Sequence, residues 1–249
     1  MEVQKVHQKY KIDAMNQLVN ASDIQSLNDF LGQYVTDNRK ATIERVLDQR
    51  TRYMTLVLED IFQSQNASAA VRTCECMGVQ DLHIIEMKSK YNVNKKVLMG
   101  SNKWMNLIRY KEKGKDNAAE CYSKLKRDGY RVVATHPAAG ISIDELPIDS
   151  KVAVVMGNEL KGISKFAIDN ADEVVRIPMY GFTESMNISV SAALCIRSLV
   201  TRIRNSEHDW HLSENEKAAL RLDWYRKSLK QPAIMEKEFW VKHNRLKLL

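Results

Sequence analysis

Glycine is scarce in this chain, and its placement is informative. The nine glycines never occur as Gly-x-Gly, so neither a dinucleotide-binding Gly-x-Gly-x-x-Gly turn nor a phosphate-cradling P-loop is present. The usual nicotinamide enzymes, P-loop NTPases and Rossmann-type methyltransferases are thereby set aside. Gly-x-Ser-x-Gly and His-Glu-x-x-His are also missing, so nothing marks a hydrolase elbow or a zinc protease. The four cysteines, Cys74, Cys76, Cys121 and Cys195, form no Cys-x-x-Cys pair and have no zinc-ligand spacing. They read as reduced, packed thiols, and no metal is expected. No run approaches the roughly 20 apolar residues that span a bilayer. The polar start, Met1 to Gln17, does not look like a secretory signal. The expectation is a cytoplasmic protein.

What is present is a 249-residue chain, 44% hydrophobic, long enough for one α/β core with helical additions. Its net charge is +7, unevenly spread. Residues 197–249 hold 12 basic and 7 acidic side chains, and Lys88 to Lys115 holds nine basic residues against one acid. Such runs are often only solvated faces, but two separate basic zones make a polyanionic partner plausible.

Residues 1–50 read as a small helical extension. Asn20 and Thr36 are placed to cap amphipathic segments carrying Ile24, Leu27, Leu31 and then Ile43, Val46, Leu47. From Thr55 strands and helices alternate up to about residue 204. Strands are expected at 55–59, 82–86, 131–135, 152–156 and 174–178, with helices at 66–76, 118–127, 163–170 and 187–203. This alternation predicts a mostly parallel sheet covered on both faces. Residues 205–249 form a basic helical tail that opens on a Ser213-x-x-Glu216 capping box; Pro232 is expected to end that helix. The division is 1–50, 51–204 and 205–249.

Three loops follow predicted strands, and strand ends of this kind are where α/β proteins place ligands. The first runs from Asp60 through Asn66 to Arg72. Taken alone, an Asn cap and a surface arginine account for it. The second, Gly157-Asn-Glu-Leu-Lys-Gly162, follows the most apolar strand, and its two glycines permit close backbone approach to a ligand. A plain strand-to-helix turn needs only one of them. The third runs from Ile177 to Ser191, with Ser185, Asn187, Ser189 and Ser191 at a helix start where capping needs one such residue. His136 is a pocket wall at best.

In this order, Asn66-x5-Arg72, Gly157-Asn-Glu-x-x-Gly-Ile-Ser164 and Ile177-Pro-Met-x-Gly-x-x-Glu-Ser-Met-Asn-x-Ser-Val-Ser-Ala-Ala193 resemble the three signature motifs of the SpoU/TrmH family of SPOUT 2′-O-methyltransferases. Arg72 to Gln80 and Gly100 to Trp104 are similar to its tRNA-specific branch. The resemblance spans roughly residues 38–200. It implies a deep C-terminal trefoil knot, a topology that periodicity could not show because threaded chains are so rare. It further implies S-adenosylmethionine bound by Thr135, His136, Gly157, Asn158, Glu159, Gly162, Ile177, Met186 and Asn187. Arg72 is implied as the central catalytic residue, with Asn66, Glu159, Ser185 and Asn187 shaping the site around it. The family also implies a homodimer in which Arg72 reaches a site completed by the other subunit. The resemblance implies this arginine as a base. Because arginine effectively never deprotonates in proteins, a phosphate clamp that also stabilises charge is the sounder role.

Family members with short helical ends methylate guanosine 18 of the tRNA D-loop, whereas relatives acting on ribosomal RNA carry a separate globular N-terminal domain. Transfer RNA is therefore the expected partner. Lys95, Lys96, Lys103, Arg221, Arg226 and Lys227 are the expected phosphate contacts. An rRNA 2′-O-methyltransferase of the same fold and a catalytically silent RNA-binding protein are the alternatives.

Overall fold

The computed structural model describes residues 20–243. In chain order the helices are α1 (Ala21–Gly32), α2 (Asp37–Leu47), α3 (Ser64–Cys76), α4 (Lys95–Leu98), α5 (Asn117–Arg127), α6 (Lys165–Asn170), α7 (Ile188–Arg204), α8 (Glu214–Ser228) and α9 (Pro232–Lys242). The strands are β1 (Met54–Glu59), β2 (Asp81–Ile85), β3 (Asn106–Tyr110), β4 (Tyr130–Thr135), β5 (Ile141–Ser142), β6 (Lys151–Met156) and β7 (Glu173–Arg176). Two compact units result. One holds the described residues up to Gln49 together with those from Leu212 onward, and the other is Arg50–His211.

The larger unit is a seven-stranded sheet in the order β3-β2-β1-β6-β4-β7-β5, with every pairing parallel. Central strands of such a sheet are buried on both faces and so read as continuous apolar runs. Alternate residues serve opposite faces. Leu56, Leu58, Val152 and Val154 pack with Val71 and Cys74 of α3 and with Cys195, Ile196 and Leu199 of α7. Val57, Ala153 and Val155 pack instead with Cys121, Tyr122 and Leu125 of α5. Cys74, Cys121 and Cys195 are buried free thiols and Cys76 is an exposed one, as expected for residues two apart on a helix. Burial pushes the Cys121 thiol up to about 12 and the Cys195 thiol up to about 12.

In the smaller unit, Asn20 and Thr36 cap α1 and α2, as their spacing predicts. Ser213 and Glu216 form the capping box of α8, an arrangement that contributes on the order of 1 kcal/mol. Leu27, Leu31, Trp224 and Phe239 are buried there, and the Phe30 and Phe239 rings lie 5.3 Å apart. Pro232 does not end α8, which ends at Ser228 with Leu229 as its cap. It opens α9 from the first helical turn, a position where a missing N–H costs nothing. Residues 1–19, part of the expected N-terminal extension, lie outside the described residues.

The sequence also hid an edge strand. Lys88–Lys115 reads as a basic run, yet it contains α4 and β3. Ile108 of β3 is only half-buried and Arg109 is exposed, so the strand has no full apolar signature. Among the described residues no helix is long and apolar enough to cross a membrane.

Candidate active site

The three motif loops meet at the C-terminal ends of β1, β4, β6 and β7. Together they line a cleft of about 540 Å³ whose wall includes Gln63, Asn66, Thr135, His136, Gly157, Asn158, Glu159, Gly162, Ser185, Met186 and Asn187. The β6–α6 loop is a tight turn. Asn158 and Gly162 exchange two main-chain hydrogen bonds of 2.9 and 2.8 Å, and Gly162 has φ +71, a left-handed conformation that suits glycine. Gly157 is required for a different reason. A Cβ there would lie 2.4 Å from the backbone of Ile163.

The end of β1 pins this turn at three places. The Glu59 carboxylate accepts from Ser164 N (3.0 Å) and Oγ (2.7 Å). The Asp60 carbonyl accepts from Asn158 Nδ2 at 2.6 Å. Glu159 reaches back, accepting from Phe62 N (2.8 Å), Gln63 N (3.2 Å) and Asn66 Nδ2 (2.9 Å). Burial works against ionisation of Glu159, but the Asn66 amide and these backbone N–H groups outweigh it and hold the carboxyl below the usual range. A depressed carboxyl stabilises the loop above its unfolded pKa, and that stability is lost as pH falls through the folded value. Replacing Glu159 by Gln removes the charge and turns a donor toward Phe62 N or Gln63 N. We expect the amides of residues 158–162 to exchange on the order of tenfold faster in that variant, read by hydrogen exchange. The loosening that acidification causes in the wild type should be absent from it.

Asn66 is not a helix cap. Gln63 holds that position in α3 and makes no side-chain cap bond. The Asn66 amide instead joins the first motif to the other two, since its Oδ1 also accepts from Asn187 Nδ2 at 3.1 Å. Asn187 is the cap of α7, accepting from Ser189 N at 2.9 Å. It therefore ends a chain of hydrogen bonds, Glu159–Asn66–Asn187, that ties all three motifs together. Thr135 turns its hydroxyl into the sheet, donating to Val155 O at 2.9 Å. The His136 N–H donates to Val175 O, and its Nδ1 accepts from Ala138 N at 3.2 Å.

Two expected residues lie elsewhere. Ile177 lines an adjoining cleft of about 720 Å³ with Ala138, Arg176 and Tyr180. Pro137 belongs to both clefts. Arg72 is exposed and does not line the first cleft. Its Nη1 donates to Val97 O of α4 at 3.4 Å. The expected phosphate contacts divide. Lys95, Lys96 and Lys103 are exposed, whereas Arg221 is paired with Glu44 (2.6 Å), Arg226 with Glu236 (2.6 Å) and Lys227 with Asp223 (2.5 Å). Sequence reasoning missed Asp60, Gln63 and Pro137. A polar residue that directly ends an apolar strand was the available signal for Asp60.

Residues 53–197 match the SpoU rRNA Methylase family. The chain belongs to this family. It is 48% identical, over 83% of its length and 93% of the relative's, to a tRNA (guanosine(18)-2′-O)-methyltransferase of Borreliella burgdorferi. Among solved structures it is similar to the A. aeolicus TrmH/SpoU tRNA modifying enzyme, with a TM-score of 0.67 and 26% identity over 77% of this chain and 98% of that one. A fold likeness extends to the SpoU methyltransferase AviRb of Streptomyces viridochromogenes in complex with the cofactor AdoMet, with a TM-score of 0.53 and 16% identity over 66% and 62% of the two chains.

Proposed function

We propose that this chain transfers a methyl group from S-adenosylmethionine to the ribose 2′-hydroxyl of guanosine 18 in the tRNA D-loop. The observation that carries this reading is the convergence of the three motif loops on one cleft, locked by the Glu159–Asn66–Asn187 hydrogen bonds. The 48% identity to a guanosine-18 enzyme favours tRNA as the substrate. We read the β6–α6 and β7–α7 loops as the threaded part of a trefoil knot, consistent with their closeness across the cleft. The protein would act where tRNA is processed, in the cytoplasm.

The cleft suits the donor. Its volume of about 540 Å³ is that of a cofactor-sized pocket. Its walls combine exposed loop backbone at Gly157–Gly162 with apolar Met156, Ile163, Met186 and Ile188. Thr135, His136, Gly157, Asn158, Gly162, Met186 and Asn187 would hold the cofactor, with Ile177 packing from the adjoining cleft. S-adenosylmethionine supplies a methyl on a sulfonium, an already activated donor.

The chain's own contribution is alignment. A ribose hydroxyl is a weak nucleophile and must be held in line with the methyl while its proton leaves. Arg72 would grip an RNA phosphate through its forked guanidinium and stabilise charge around the acceptor. Because Arg72 does not line its own cleft, we assign this task to the partner subunit's Arg72 in a homodimer. Val190 and Leu194, four residues apart on α7 and 47% and 42% exposed, offer an apolar face for that contact. Lys95, Lys96 and Lys103 would track phosphates directly; Arg221, Arg226 and Lys227 would do so only by leaving their carboxylate partners. The test is transfer of labelled methyl from S-adenosylmethionine to purified tRNA and to rRNA fragments. Labelled tRNA is expected, and labelling of rRNA alone would refute the substrate assignment.

A further inference from the structure

Asp60 occupies an unusual place in the chain. It directly follows β1 and has φ +51, a left-handed conformation that Asp and Asn tolerate best among residues with a side chain. Its N–H still continues the sheet ladder to Ile85 O at 2.8 Å. Its carbonyl and side chain serve two different loops. The carbonyl receives Asn158 Nδ2 from the cofactor turn. The carboxylate Oδ1 accepts three successive amides, Met87 N (3.0 Å), Lys88 N (2.7 Å) and Ser89 N (2.7 Å). Consecutive backbone N–H groups of this kind form an anion-binding nest, here filled by the protein's own carboxylate.

The loop gripped by Asp60 leads into the exposed basic tract. Its far end is anchored as well. Asn94 N donates to Ser68 Oγ of α3 at 3.2 Å, and Val97 O receives Arg72. We propose that Asp60 is a positioning residue for methyl transfer, joining the segment that meets RNA and supports Arg72 to the turn that holds the donor. This rests on the function proposed above. The left-handed turn separates the two tasks, so a variant can remove one and keep the other. Asp60→Gly keeps the backbone conformation and the carbonyl while deleting the carboxylate. Asp60→Asn keeps one acceptor oxygen.

The experiment compares wild-type, Asp60→Gly and Asp60→Asn full-length protein by three measurements. These are hydrogen exchange, calorimetry with S-adenosylmethionine, and steady-state kinetics on a tRNA transcript. In Asp60→Gly the amides of residues 87–89 are expected to exchange on the order of tenfold faster, and KM for tRNA to rise on the order of tenfold. Affinity for S-adenosylmethionine should stay within about twofold, and Asp60→Asn should recover most of both losses. Unchanged exchange at residues 87–89 would overturn the anchoring itself, whether or not RNA is methylated. Altered exchange with an unchanged KM for tRNA would overturn the positioning role. Donor affinity falling in step with KM would also overturn it, since that pattern marks general loosening. Wild-type protein that methylates no RNA would instead overturn the function on which the proposal rests.

Discussion

Replacing Gly157 by alanine is expected to cripple binding of S-adenosylmethionine while leaving the sheet folded. The added Cβ would sit 2.4 Å from both N and Cα of Ile163. Both are backbone atoms, so no rotamer change relieves the contact. The turn is held by the Asn158–Gly162 bonds, by Glu59 on Ser164 and by Glu159 on the first motif, and it must open against them. Overpacking of this kind costs about 1–3 kcal/mol, which corresponds to roughly 5- to 150-fold in affinity. The cost falls on the loop that lines the cleft, since the β6 ladder lies upstream of it. Calorimetric titration with S-adenosylmethionine checks the prediction, alongside a thermal melt showing that the fold is kept. Wild-type affinity in Gly157→Ala would show that the turn does not shape the donor site.

The second large effect concerns Arg72. Arg72→Ala should lower kcat for RNA methylation by about 10²–10³, the usual cost of removing a charged group that acts in the transition state. Affinity for S-adenosylmethionine should not change, because the task assigned to this side chain is to grip an RNA phosphate rather than the cofactor. If the arginine is delivered across a two-fold dimer, two inactive variants complement each other. A reassociated mixture of Arg72→Ala and Gly157→Ala protomers would contain sites with an intact donor cleft from one chain and an intact arginine from the other. About a quarter of the wild-type sites would then return. No recovery in a mixture shown to exchange protomers would count against delivery from the partner. Arg72→Lys should recover little, since an ammonium cannot reproduce the forked contact to phosphate.

Much of this architecture was legible because its elements obey strong periodicities. The β6 run, buried on both faces, reads as an apolar strand, and Ser213-x-x-Glu216 reads as a helix start. β3 was not legible. An edge strand ending in Arg109-Tyr110 and set in a basic run lacks the alternation that reveals a half-buried strand. Pro232 was misread because a proline ends one helix and opens another equally well; only the packing of α9 decides between them. The site shows the same division. Counting polar groups marked only the loop of Asn187 as more than a turn, and the motif resemblance drew in Asn66 and Glu159; the three are hydrogen-bonded in series. Their individual roles were hidden. Glu159 has both oxygens engaged by the Phe62–Asn66 segment, so it acts as a brace for the first motif. Asn187 caps a helix and bridges to Asn66 at once. Arg221 and Arg226 looked like free charges in the sequence because their partners, Glu44 and Glu236, lie 177 and 10 residues away.

The measurement that bears most directly on the central claim is the position of the methyl group. Unmodified tRNA transcripts are incubated with the protein and labelled S-adenosylmethionine, and ribose methylation is then mapped nucleotide by nucleotide. The account predicts a single 2′-O-methyl at guanosine 18 and no signal in a transcript lacking that guanosine. Label on a base, at another ribose, or absent from tRNA altogether would contradict it.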